Sequence, residues 1–277
     1  PAIYVYRWRK RICNAKTVST LHQDTYRSFC YQYNCVMSYL FTQYWSHIQS
    51  KFNGVISISN QLKNLYCNKI KSPITTIYNG CFTHIDDSAD IQIVDNLKQI
   101  KSKYKLLGTY AYITRRKGLG QIIQALSYMK NYAFVIIGEG PDIANLKQKA
   151  QNLCVHDRVL FFPYQKNPCN YLPYFDVYVM PSYSEGFGMA MVEAALAGKA
   201  IVCSDISSFH EIFNENEVRF FTLDNTDSLQ QAIHSAYINR EKLGKAAYIK
   251  ANNEFTAQKM AENHKKYYDN LLYNSNK

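Results

Sequence analysis

The chain has 277 residues, 47% hydrophobic and 14% aromatic, enough to bury one large core or two smaller ones, which excludes a disordered segment or a disulfide-dependent miniprotein. Lys and Arg number 32 against 21 Asp and Glu, for a formal net charge of +11, and the excess lies in residues 1–200 while residues 201–277 carry −1. A basic front of this kind points to an anionic partner: nucleic acid, anionic lipid or phosphorylated small molecules, which charge alone does not separate.

No apolar run approaches the roughly 18 residues of a membrane-spanning helix, and the start lacks the basic-then-apolar order of a signal peptide, so a cytoplasmic protein is expected. Eight scattered cysteines (13, 30, 35, 67, 81, 154, 169 and 203) form no C-x-x-C pair, as befits buried thiols in a reducing compartment. Seven histidines show no H-E-x-x-H pattern, and no metal site is expected.

In chain order, Ile3–Tyr6 reads as a short strand running into the cluster Arg7-Trp8-Arg9-Lys10-Arg11. Its interleaved Tyr4, Tyr6 and Trp8 suit a membrane interface, a nucleic-acid backbone or a solvated strand end. Strands follow near Thr17–Leu21, Gly54–Ser57 and Thr75–Tyr78. Between the first two, a helix from about Tyr26 to Phe52 carries Phe29, Tyr33, Val36, Leu40, Tyr44 and Ile48 at three- and four-residue steps, a stripe that reads as core. From Asn79-Gly80 to Lys105 the texture changes: Asp86, Asp87, Asp90 and Asp95 precede Lys98, Lys101, Lys103 and Lys105, and this stretch reads as a boundary between two α/β units. Further strands are expected at Lys105–Gly108, Ala133–Ile137, Val159–Phe162, Val177–Met180 and Ala200–Cys203, with an amphipathic helix after Lys117-Gly118 that places Leu119, Ile122, Ile123, Leu126 and Met129 on one face. Short strands alternating with longer helices predict parallel sheets with crossover helices.

Pro181 to Lys199 is the most informative stretch. An apolar strand passes through Gly186-Phe187-Gly188 into a helix, and such a loop exposes backbone N–H groups at a positively polarised helix end, suited to phosphate or sugar hydroxyls. Glu193 then sits in an otherwise apolar helix, where an ionised carboxylate is costly unless something donates hydrogen bonds to it. A pair of ribose hydroxyls would do so; so would neighbouring backbone or an Arg.

Glu185 and Glu193, with Gly-Phe-Gly between them, resemble the E-x7-E motif of the family 4 retaining glycosyltransferases, which have the GT-B fold. Arg115-Arg116-Lys117-Gly118 is similar to that family's basic R-K-G element and Gly138-Glu139-Gly140-Pro141 to its G-x-G-P turn. Arg158-Val159-Leu160-Phe161 and Ser204-Asp205 through Glu211 follow in the same order, and His22-Gln23-Asp24, Ile56-Ser57-Ile58-Ser59 and Tyr78-Asn79-Gly80 are similar to landmarks of the N-terminal domain. The resemblance covers nearly the whole chain, and the ordered set is far more specific than one Gly-x-Gly.

The resemblance implies that Glu193 holds the donor ribose, that Glu185 and the backbone of Phe187, Gly188 and Met189 address the donor sugar and diphosphate, and that Lys117, with Arg116 or Arg115, neutralises the diphosphate. His22 would approach the transferred sugar, making Glu185, His22 and Lys117 the candidate catalytic set. No cofactor is implied beyond the nucleotide-sugar donor, and with no D-x-D pair in the chain Lys and Arg stand in for a metal. Departures exist. Tyr112 occupies the approximate place of a common Arg, Pro163 that of a common Gly, and the pattern begins partway through the N-terminal domain, so that the first strands and the glycine-rich loop are expected to be missing.

The expected organisation is α/β, GT-B type, with two Rossmann-like domains: a partial N-terminal domain over 1–84, a linker over 85–104, a nucleotide-sugar domain over 105–255, and a C-terminal helix over 256–277 returning to the first. The expected function is transfer of a hexose or N-acetylhexosamine from a nucleotide sugar to a saccharide or lipid-linked acceptor in surface glycan assembly, with the basic front against anionic membrane and no specific nucleic-acid partner. A non-catalytic nucleotide-sugar-binding subunit and a basic nucleic-acid-binding protein are the alternatives.

Overall fold

The computed structural model describes residues 2–8, 11, 15–30, 33–86 and 88–273; Arg9, Lys10, Cys13 and Asp87 of the features above lie outside them. The chain divides into two compact units, a smaller one of residues 1–80, 185–187 and 257–277 and a larger one of 81–184 and 188–256.

In the smaller unit the order is α1 (Ala2–Trp8), β1 (Val18–Leu21), α2 (Thr25–Cys30), α3 (Cys35–Gln49), β2 (Gly54–Ser57), α4 (Asn60–Tyr66) and β3 (Ile74–Thr76). The strands form one parallel sheet, β1-β2-β3, with Val18 opposite Gly54 and Val55 opposite Ile74. The expected strand at Ile3–Tyr6 is instead the helix α1, with no buried residue. A strand needs a neighbour for its N–H and C=O groups, whereas a helix satisfies them internally.

The single helix expected from Tyr26 to Phe52 is two. Asn34 starts the second, its Oδ1 accepting from the Met37 N–H at 2.9 Å, and the predicted stripe largely faces outward: Tyr33, Val36, Leu40 and Tyr44 are each more than half exposed. The inward face of α3 is Ser38, Thr42, Ser46, Ile48 and Gln49. Burial of Ser38 and Thr42 is possible because their hydroxyls bond back along the helix, Ser38 Oγ to the Asn34 carbonyl at 2.9 Å and Thr42 Oγ1 to the Ser38 carbonyl at 2.7 Å; Ser46 Oγ and Gln49 Oε1 are buried without a partner among the described residues.

The larger unit continues with α5 (Ile91–Lys101), β4 (Lys105–Tyr110), α6 (Leu119–Leu126), β5 (Tyr132–Ile137), α7 (Ile143–Asn152), β6 (Val159–Phe162), β7 (Val177–Met180), α8 (Met189–Leu196), β8 (Ala200–Ser204), α9 (Ser207–His210), β9 (Arg219–Phe221), α10 (Thr226–Ile238) and α11 (Arg240–Glu254). The segment read as a linker over 85–104 therefore holds a helix of this unit. Its alternation of acids then lysines is capping chemistry: Asp90 Oδ1 accepts from the N–H groups of Gln92 at 2.8 Å and Ile93 at 3.3 Å, while Lys98 and Lys101 lie in the last turn. The final helix, α12 (Ala257–Tyr273), belongs to the smaller unit, where Tyr267 and Leu271 pack over Gly54 of β2.

Six parallel strands in the order β6-β5-β4-β7-β8-β9 make the larger sheet, the last of which the sequence pattern does not signal. Helices cover both faces, so β5 is buried at every residue, as parallel sheets require. Leu119, Ile122, Ile123, Leu126 and Met129 all enter the core. Arg158, only 9% exposed, is the polar brace of this region: its Nη1 donates to the carbonyls of Met129 (2.8 Å) and Tyr132 (2.9 Å), and its Nη2 to that of Leu126 (3.0 Å).

Arg158→Met should strand those three carbonyls in an apolar setting and lower local stability by about 2–4 kcal/mol. Hydrogen exchange at the β5 amides measures it; unchanged protection would show that water reaches the carbonyls.

Candidate functional site

In the larger unit the strand order reverses between β4 and β7, which pair in parallel through Leu107 with Val177 and Gly108 with Tyr178. Chains leaving the carboxyl ends of two such strands diverge, and the crevice between them is where open α/β sheets bind ligands. The loop after β4 runs through Arg115–Lys117, a short 3-10 turn, into α6; the loop after β7 runs from Pro181 through Gly188 into α8.

The two loops are laced together. Gln121 Nε2 donates to the Pro181 carbonyl at 2.9 Å, the Tyr183 N–H to the Arg116 carbonyl at 2.9 Å, and Arg116 Nη1 to the Ser184 carbonyl at 2.8 Å. Gly118 allows this approach: it has φ +64, and a Cβ there would lie 2.0 Å from the Pro181 carbonyl oxygen. The Gly138 to Pro141 turn docks beside them, the Ile113 N–H donating to the Glu139 carbonyl at 2.7 Å.

Each candidate residue has a definite place. Lys117 is half-buried and Arg116 is held on the second loop, whereas Arg115 is 88% exposed and faces Asp142 at 3.9 Å. Gly188 precedes α8 in a left-handed conformation and Met189 is its first residue. Glu185 and Phe187 belong to the smaller unit, where Phe187 is buried with its ring stacked on Tyr78 at 5.9 Å. His22, exposed at the end of β1, lies in that same unit; a Cβ on Gly186 would come within 2.9 Å of the His22 carbonyl oxygen, so only glycine permits so close a fit. Tyr112 is exposed.

Glu193 has a partner that the sequence reading does not name. The Tyr110 hydroxyl, at the last residue of β4, donates to Glu193 Oε2 at 2.7 Å; the Cys169 thiol lies 4.0 Å from the same oxygen, and the Thr83 hydroxyl donates to the Glu193 carbonyl at 2.9 Å. Burial raises the Glu193 carboxyl above its ordinary range, and the Tyr110 hydrogen bond pulls it partly back. Burial and the nearby Glu193 charge in turn push the Cys81 thiol up to about 12 and the Cys169 thiol to about 11. Glu193 is thus surrounded by neutral weak acids. The signal that could have found Tyr110 is its position, a hydroxyl-bearing aromatic at the carboxyl end of a central parallel strand.

Parallel sheets of three and six strands, with the second reversing order at β4, define the GT-B class of fold. The solved structure of Anabaena HepE in complex with UDP and glucose superimposes with a TM-score of 0.81 at 17% identity, covering 97% of this chain and 74% of that one. Residues 90–254 match the model of the glycosyl transferases group 1, and the chain belongs to this family of enzymes. It is 29% identical over 267 residues to the O-antigen biosynthesis glycosyltransferase WclY of Escherichia coli, covering 93% of this chain and 72% of that one. It is also 27% identical over 164 residues to the N-acetylgalactosamine-N,N'-diacetylbacillosaminyl-diphospho-undecaprenol 4-alpha-N-acetylgalactosaminyltransferase of Campylobacter jejuni, covering 58% of this chain and 45% of that one.

A raised carboxyl binds its proton more tightly folded than unfolded. The stability it contributes is full below the unfolded value, near 4.5, and is lost as pH rises through the folded one. Without ligand, Glu193→Gln should therefore melt higher than the wild type at pH 8, with the difference shrinking toward pH 4.5. A melting difference that does not vary with pH would mean that burial does not strain the carboxylate.

Proposed function

We propose that this chain is a family 4 retaining glycosyltransferase that moves a hexose or N-acetylhexosamine from a nucleoside-diphosphate sugar to a saccharide or lipid-linked acceptor in surface glycan assembly. The observation that carries the reading is Glu193: a half-buried carboxylate beside the β4/β7 switch point, with one oxygen engaged by Tyr110 and an ordered loop of basic residues on the neighbouring element of the same unit.

Cleaving the glycosidic bond leaves an oxocarbenium-like sugar and a nucleoside diphosphate with growing negative charge. Lys117, assisted by Arg116, would meet that charge without a metal ion, and the amides of Gly188 and Met189 would add their dipoles. Glu193 would accept from the ribose, while Glu185, the Phe187 backbone and His22 would address the sugar. Arg115, turned toward Asp142, would have the smallest part. A lipid-linked acceptor suits work at the cytoplasmic face of a membrane, and α1 supports contact with anionic lipid: Tyr4 and Trp8 are exposed, and the Arg11 guanidinium lies 4.2 Å over the Trp8 ring. The diphospho-undecaprenol substrate in the name of the Campylobacter jejuni relative, and the O-antigen biosynthesis in that of the Escherichia coli one, support the acceptor class.

Thermal shift with UDP-, GDP- and ADP-sugars should find one donor that stabilises the chain, by about 2.7 kcal/mol at 100 times its dissociation constant, and that donor should support sugar transfer. Failure of all three classes to bind would end the proposal. Lys117→Ala should weaken the nucleoside diphosphate far more than the bare nucleoside, because an ammonium gains little from an uncharged ligand. Calorimetric titration of both ligands tests this, and equal losses would give Lys117 a purely structural role.

A further inference from the structure

We propose that Tyr110 is a positioning residue for nucleotide recognition: its phenol fixes Glu193 through Oε2 and leaves Oε1 as the oxygen that accepts from the ribose. The inference rests on the reading of Glu193 as the ribose acceptor and adds how that carboxylate is aimed and kept competent.

The geometry is one-sided. Tyr110 donates to Oε2 at 2.7 Å and the Cys169 thiol approaches that same oxygen at 4.0 Å. The phenol is itself held, 8% exposed at the end of a central strand, with its ring against Tyr178 at a centroid distance of 5.4 Å and its oxygen 3.7 Å from Cys169 Sγ. On the other side, the Thr83 hydroxyl bonds the Glu193 carbonyl, so the helix turn that bears the carboxylate is tied as well. One anchor on the carboxylate and one on the backbone that bears it, neither of them a cation, leave a carboxylate of fixed orientation with one oxygen for a ligand.

The same bond controls ionisation. Tyr110 from β4, Cys169 from the turn before β7 and Cys81 from the segment opening this unit are the titratable groups described around Glu193, with Tyr178 from β7 behind Tyr110. Burial lifts the Tyr110 phenol and both thiols, so these remain neutral donors from pH 5.5 to 8.5, and burial lifts the Glu193 carboxyl as well. Donation by Tyr110 favours the charged form. Removing that hydroxyl must raise the Glu193 carboxyl further, and a protonated carboxyl is the poorer acceptor for ribose hydroxyls.

The test is calorimetric titration of the full chain with whichever of UDP, GDP and ADP binds most tightly, and with its 2′-deoxy counterpart, from pH 5.5 to 8.5. Tyr110→Phe, which keeps the ring, should weaken the ribonucleotide about 10-fold at pH 7, and the deoxynucleotide less. The ratio of wild-type to variant affinity should widen as pH falls; titration of the nucleotide's own phosphate cancels in that ratio. A ratio that is constant with pH, an equal loss for the two nucleotides, or no loss at all overturns the proposal. Incorporating 2,3-difluorotyrosine at position 110, which keeps the ring and strengthens the donor, should tighten binding at acid pH, and weaker or unchanged binding counts against it. Glu193→Gln separates the two levels. Unchanged nucleotide affinity in that variant defeats the ribose reading itself, as does failure of all three nucleotides to bind. A loss in Glu193→Gln with none in Tyr110→Phe defeats only the role of Tyr110.

Discussion

The parallel pairing of β4 with β7 is the constraint from which the larger unit follows. Two chain halves, β4-β5-β6 and β7-β8-β9, grow outward from that seam in opposite directions, and crossover helices must cover both faces. The loops leaving the seam start from strands whose connections run to opposite sides, hydrogen bonds tie them together farther out, and the crevice at their base is lined by whatever their first residues carry. Here these are Tyr110 on one side and the Pro181–Gly188 loop with α8 on the other. Residues 83 positions apart in sequence meet because the two strands that deliver them are neighbours.

Placing a carboxylate in that crevice has a cost in stability. The apolar remainder of α8 packs Met191, Val192, Ala194 and Ala195 into the core, which fixes the helix but draws Glu193 partly out of water. Tyr110 offsets part of the desolvation without neutralising the charge, as an Arg would have done. A neutral donor leaves the carboxylate with both its charge and an acceptor oxygen, at the expense of a strained ground state. The strain here comes from burial, and one hydrogen bond between β4 and α8 relieves part of it.

The smaller unit solves its packing differently. Its three short strands offer little apolar area, and α3 turns hydroxyl-bearing residues inward while Tyr33, Val36, Leu40 and Tyr44 stay more than half exposed. Ser38 and Thr42 tolerate that burial because each hydroxyl bonds a carbonyl one turn earlier, whereas the buried Ser46 hydroxyl has no partner among the described residues. Aromatic contacts carry the rest, such as Trp45 edge-on to Tyr66 and Phe29 stacked on Phe41.

Eight of the nine strands among the described residues are legible from short β-branched or apolar runs, while β9, which opens on Arg219 and holds only two apolar residues, leaves no such run. The order of Arg116-Lys117, Gly-Phe-Gly and Glu193 was equally readable, since loops that expose amides and charges need glycine and basic residues at set intervals. Which face of α3 is buried was not readable, because apolar steps of three and four fit either side of a helix and only the neighbouring strands choose. Nor was α1, whose β-branched and aromatic residues favour a strand that finds no partner. The partner of Glu193 lay beyond sequence altogether: an ionisable residue in an apolar helix announces that something must satisfy it, but its identity depends on which strand stands beside α8. Sequence periodicity determined the elements and the chemistry they carry; strand order in the sheet decided that Tyr110 meets Glu193, because hydrogen bonding across the fold depends on adjacency in space.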